Sequence, residues 1–76
     1  MNTINLQDAF LNNVRKEKII ITIFLNNGYK LTGTVIGFDN YVLFIETDKG
    51  QQLVYKHAIT SILPFKPVRI FANEEE

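Results

Sequence analysis

A chain of 76 residues with no cysteine and a single histidine, His57, makes at most one domain and closes neither a disulfide nor a thiolate or histidine-only metal site. A monomer this small is marginal, and with those staples excluded oligomerisation is the remedy left; the 46% hydrophobic content fits a partner covering part of the surface. Net charge is zero, but three of the eight acidic residues are Glu74, Glu75 and Glu76, so residues 1–73 carry eight basic and five acidic groups and permit a polyanion partner.

Residues 5–18, NLQDAFLNNVRKEK, are predicted as a helix. Asn5 is the candidate N-cap, and Asp8 suits the N–H groups and dipole of the first turn. Leu6, Phe10, Leu11 and Val14 share one face, with Gln7, Asn12, Arg15 and Lys18 opposite. Arg15, Lys16 and Lys18 close the helix, where cations suit the dipole. IIITIFL, residues 19–25, is β-branched and aromatic and reads as a first strand. It is the longest apolar run and falls well short of the ~20 residues of a membrane-spanning helix. NNG, residues 26–28, is a hairpin turn.

YKLTGTVIGF, residues 29–38, is a second strand, in which Gly33 and Gly37 mark a sharp bend or a close backbone approach. DN, residues 39–40, turns the chain into YVLFIE, residues 41–46, and TDKG, residues 47–50, turns it into QQLVY, residues 51–55. Lys56, His57 and Ala58 separate that strand from a short fifth, ITSIL, residues 59–63. Pro64 and Pro67 discourage further pairing, and residues 65–76 read as a flexible tail, acidic at its end.

One helix followed by five short strands predicts a mainly β fold: a strongly bent, five-stranded antiparallel sheet close to a small open barrel. Its edges fall at the fourth and fifth strands. An exposed edge is an aggregation hazard, and head-to-tail pairing between subunits removes it by closing a ring. The opening MNTINLQ lacks the basic and apolar regions of a signal peptide, so the expectation is a cytosolic protein.

From the residues alone, Tyr41 reads most simply as a strand aromatic packing the core, and secondarily as a base-stacking surface beside a turn. Lys56 and His57 read as a solvated turn; lysine also offers charge or a donor, and neutral histidine one donor and one acceptor. No serine, cysteine or carboxylate adjoins His57 in sequence, so an enzyme is not expected. Arg15, Lys16 and Lys18 read equally as a solvated helix end and as phosphate contacts. For Phe24 and Tyr29, core packing is the simpler account.

Three segments carry a resemblance: LQDAFLN in the helix, LNNGYKLTGTVIGFDNYVLF across strands two and three, and YKHAITSI at the end. Together they resemble Hfq, the bacterial branch of the Sm-like RNA-binding proteins, over about residues 5–64. The most specific part is Lys56-His57, where other Sm proteins usually carry an arginine–glycine pair. The resemblance implies a domain over residues 1–64, a homo-oligomeric, six-membered ring, and single-stranded RNA (small regulatory RNA and messenger RNA) as partner, with no cofactor, metal or membrane. It implies a pore site for uridine-rich RNA at Gln7, Asn40, Tyr41, Lys56 and His57. A second, distal face for adenine-rich RNA falls on Phe24, Gly28, Tyr29, Lys30, Leu31, Thr32 and Gln52. An outer rim falls on Asn12, Arg15, Lys16, Lys18 and Phe38. Thr32 stands where one branch of the family has glutamine, a longer amide able to read adenine, and lysine partly replaces arginine on the rim. The implied function is an RNA chaperone that pairs small regulatory RNA with messenger RNA in post-transcriptional regulation. The alternative is a structural barrel assembling a protein complex through its sheet edges.

Overall fold

The computed structural model describes residues 5–69. Glu74, Glu75 and Glu76 therefore lie outside the described residues. Helix α1 spans Leu6–Glu17, and the strands are β1 (Ile21–Leu25), β2 (Lys30–Phe38), β3 (Val42–Thr47), β4 (Gly50–Tyr55) and β5 (Ile59–Pro64), with a 3-10 turn at Lys56–Ala58. The five strands form one antiparallel sheet in the order β4-β3-β2-β1-β5, so the edges are the two strands expected.

The helix begins as the sequence predicts: the Asn5 side chain accepts from the Asp8 N–H at 3.2 Å. Its end is less foreseeable. Lys18 adopts the left-handed conformation, φ 55°, and the Lys18 N–H reaches back to Arg15 O at 3.3 Å while the Ile19 N–H reaches Val14 O at 3.0 Å. These two bonds make a Schellman motif, and the accompanying apolar contact is between buried Val14 and buried Ile19. This motif explains why β1 starts at Ile21 rather than Ile19: the two preceding residues are used to end the helix and turn the chain.

Register then sorts the faces. Ile21 lies opposite Gly33, Ile23 opposite Leu31, Val35 opposite Ile45 and Leu43 opposite Val54. Directly opposed residues share a face. Ile21, Ile23, Val35, Leu43, Ile45 and Val54 thus join Leu11, Val14 and Ile19 in one core. Two irregularities bend the sheet. The β2–β3 register shifts between Val35 and Gly37, and the β1–β5 register shifts between Phe24 and Leu25. At the second bulge Thr60 Oγ1 donates to Phe24 O at 3.0 Å, so a side chain occupies an acceptor beside the interrupted ladder. Gly33 is the close approach: a Cβ there would lie 2.0 Å from Glu46 O.

The turns are tighter than their sequences suggest. Gly28, φ 93°, closes the Asn26-Asn27-Gly28 turn, its N–H donating to Leu25 O at 3.0 Å. Thr47 and Gly50 are paired, leaving only Asp48 and Lys49 as the β3–β4 turn. Thr47 Oγ1 accepts from the Lys49 N–H and donates to Gly50 O, which makes the shorter turn self-supporting. After β5 the Phe65 N–H donates to Ile20 O at 2.8 Å, and Val68 packs against the core. No helix among the described residues is long and apolar enough to cross a membrane.

Candidate nucleic-acid interface

The implied pore residues converge on the end of the β3–β4 pair nearest the 3-10 turn. Asp39 organises the approach. Its Oδ1 accepts from the Tyr41 N–H at 2.8 Å and the Val42 N–H at 2.9 Å. These two backbone donors, the Tyr41 one foremost, hold the Asp39 carboxyl below the ordinary value of 3.8, with the Lys56 charge a lesser aid. Asp39 thus organises the turn through Asn40 and Tyr41 that precedes β3, which starts at Val42. Tyr41 is accordingly displaced from the strand and stands 75% exposed, which overturns core packing as its role. Asn40 is exposed beside it.

The second half of the site is tied to the first by the Lys56 N–H, which donates to Tyr41 O at 2.8 Å. The Lys56 side chain is not the solvated turn lysine of the local reading. It is 14% exposed, its Nζ 3.8 Å from Asp8 Oδ1 and 5.5 Å from the centre of the Phe38 ring. An ammonium over an aromatic face and beside a carboxylate is held in place before any ligand arrives. His57 is exposed, its ring 5.9 Å from that of Tyr55 and tilted by 36°.

Lys56 and Gln7 also line a groove of about 400 Å3 between α1 and β5, floored by Phe10, Leu43, Ile59 and Ile62. Leu6 belongs to this groove and is 55% exposed, although periodicity placed it on the buried helix face; it stands over the opening rather than the core. The arrangement offers an apolar floor, one fixed cation, an amide and, at the adjoining turn, a free aromatic face and an imidazole. No described residues cluster with metal-ligand geometry.

The implied distal residues divide. Lys30, Leu31, Thr32 and Gln52 line a second groove of about 550 Å3 together with Ile20, Glu46, Asp48 and Lys49. Phe24, Gly28 and Tyr29 do not line it: Phe24 is half-buried opposite Lys30, and Tyr29 is 71% exposed after the hairpin turn, so core packing is excluded for Tyr29. Thr32 Oγ1 lies 3.4 Å from Thr22 Oγ1 across the β1–β2 pair. The two grooves share no lining residue. Of the rim residues, Asn12, Arg15, Lys16 and Lys18 are exposed on α1 and its end, with Arg15 donating to Asn12 Oδ1. Phe38 is half-buried, its ring beneath the Lys56 ammonium.

Two contributors escaped the sequence reading. In the sequence Asp8 marks only a helix start, yet in the fold it pairs with Lys56. In the sequence Asp39 marks only a turn; the available signal is an aspartate two residues before an aromatic, because such a side chain bonds backbone N–H groups two residues on.

Residues 6–69 match the family model described as Hfq protein. A protein of Ruminiclostridium cellulolyticum named "RNA-binding protein Hfq" is 60% identical over 74 residues, covering 97% of this chain and 92% of that protein. One of the same name from Sinorhizobium fredii is 59% identical over 71 residues, covering 93% of this chain and 89% of that protein. Among solved structures, a crystal structure of "the pleiotropic translational regulator, Hfq" superposes with a TM-score of 0.75 at 34% identity, covering 78% of this chain and 98% of that one. A structure of an Hfq protein from Anabaena sp. gives 0.65 at 31% identity, over 71% and 87% of the respective chains.

Proposed function

This chain belongs to the Hfq family, and on that premise we propose that it is a cytoplasmic, non-enzymatic RNA chaperone that holds single-stranded RNA and promotes pairing of small regulatory RNA with messenger RNA. The observation that carries the reading is Tyr41, an aromatic face turned out to solvent beside a lysine already fixed by Asp8 and Phe38. Stacking of a base on an aromatic side chain contributes roughly 1–3 kcal/mol. Gln7, Asn40, Tyr41, Lys56 and His57 take uridine-rich RNA. Lys30, Leu31, Thr32 and Gln52, with Phe24, Gly28 and Tyr29 nearby in the chain, take adenine-rich RNA. Two strands held by one assembly meet at a raised effective concentration, which is the physical basis of annealing.

The assembly follows from the sheet edges. Strands β4 and β5 are edges, and they expose Leu53 and Tyr55 on one and Leu63 on the other. Pairing β4 of one copy with β5 of the next extends the sheet, covers these side chains and closes head-to-tail, with six copies the number the family resemblance implies. The same edges also suit a purely structural module. Titration of a uridine-rich and an adenine-rich oligonucleotide, with a duplex control at two salt concentrations, separates the two. The chaperone reading requires submicromolar binding of single strands that weakens with salt; no such binding to either strand leaves the structural module.

A further inference from the structure

Phe65 is 82% exposed, the most exposed of the large hydrophobic side chains among the described residues. Its place is nevertheless fixed. The Phe65 N–H is bonded to Ile20 O, and the chain beyond is held by Val68 against the core. The ring borders a shallow cleft of about 170 Å3 that includes Lys18 and Lys66. Lys66 also lines a neighbouring hollow of about 270 Å3 with Arg69. Glu17 lies in both and is outnumbered by the three cations. Among the described residues none of these charges enters an ion pair.

We propose that Phe65, flanked by Lys18 and Lys66, is a stacking site for a base of single-stranded RNA, apart from the groove between α1 and β5 and meeting the second groove only at Ile20. Phe65, Lys66 and Arg69 lie outside every RNA-contacting position that the family resemblance supplies. An apolar ring between unpaired ammonium groups is poorly suited to burial beneath another protein surface, because the cations are then desolvated without partners. A single strand brings both complements at once: a base face for the ring and phosphates for the lysines. Such contact tolerates any base, so this site adds affinity without sequence preference. The inference rests on the proposed RNA binding.

The chain contains no tryptophan, so Phe65→Trp places a single fluorophore at the site. An unstructured RNA of mixed adenine and uridine is titrated in parallel into the full-length wild type, by anisotropy of a labelled copy, and into the F65W variant, by tryptophan emission. The expected result is saturable quenching in the range where anisotropy reports binding, diminished by salt and by the double substitution Lys18→Ala and Lys66→Ala. Phe65→Ala and Phe65→Leu should both weaken binding at least about fivefold, since leucine restores bulk but not a stacking face. Tryptophan emission unchanged while anisotropy saturates overturns the stacking site and leaves the rest of the RNA reading intact. Blue-shifted emission in free protein that RNA does not alter overturns it too, assigning the ring to contact with another copy. Absence of wild-type binding refutes the RNA reading itself, and this inference with it.

Discussion

Gly33→Ala is expected to cripple folding, whereas Gly37→Ala, four residues along the same strand, is expected to be tolerated. A Cβ at Gly33 would lie 2.0 Å from Glu46 O, 2.9 Å from the Glu46 carbonyl carbon and 3.2 Å from Thr47 Cα, all of them backbone. Non-bonded heavy atoms prefer about 3.5–4.0 Å, so β3 must withdraw by more than about 1 Å. Hydrogen bonds are already near their useful limit at about 3.2 Å, and the ladder around Gly33↔Thr47 and Thr34↔Glu46 is lost. Two lost bonds and the disturbed Val35–Ile45 packing cost about 3–5 kcal/mol. The whole chain has about 4–11 kcal/mol, at about 0.05–0.15 kcal/mol per residue. A Cβ at Gly37 meets nothing within 4 Å, so that change stays within about 1 kcal/mol of wild type. Urea unfolding followed by circular dichroism, at one fixed protomer concentration because association adds to stability, measures both. Equal effects of the two substitutions, or a Gly33→Ala loss under about 1 kcal/mol, refute the close approach as the reason for Gly33.

Lys18→Gly should raise stability by about 1 kcal/mol, because glycine adopts the left-handed helix end without the Cβ clash; thermal unfolding reads it, and the same variant should bind RNA less tightly at low salt. Tyr41→Ala should leave unfolding within about 0.5 kcal/mol of wild type while weakening uridine-rich RNA more than adenine-rich RNA; a large stability loss would return Tyr41 to a packing role. Because the folded Asp39 carboxyl titrates below 3.8, its ionised form favours the fold, and this contribution is complete above about pH 5 and disappears as pH falls through the lowered value. Asp39→Asn keeps an acceptor for the Tyr41 and Val42 N–H groups but removes the titration. The stability difference between wild type and Asp39→Asn should therefore shrink between about pH 5 and 2, and a constant difference contradicts the assignment.

Local chemistry was legible where one or two neighbouring residues decide it. The Asn5 cap, the Asn-Asn-Gly turn, the helix followed by five strands and the identity of the two edge strands all follow from short patterns. What escaped depends on pairings across the chain. Tyr41 has the composition of a strand residue, yet it falls in the turn that the Asp39 carboxylate organises and stands exposed. Lys56 looks like any turn lysine until the fold brings Asp8 from the helix and Phe38 from β2 to its ammonium. Gly33 and Gly37 look alike in sequence and differ only in which backbone lies opposite. The division of the distal residues between a groove and the hairpin end reflects register and sheet curvature, which no single strand's pattern contains.

Simultaneous occupancy tests the central claim most directly. Labelled oligouridine is bound to the protein at saturation, and unlabelled oligoadenine is added while anisotropy and sedimentation are followed. Two separate surfaces on one assembly require that oligouridine stays bound and that the complex gains the mass of the second strand. Stoichiometric displacement of oligouridine by oligoadenine contradicts the claim, because it means that both strands compete for a single site.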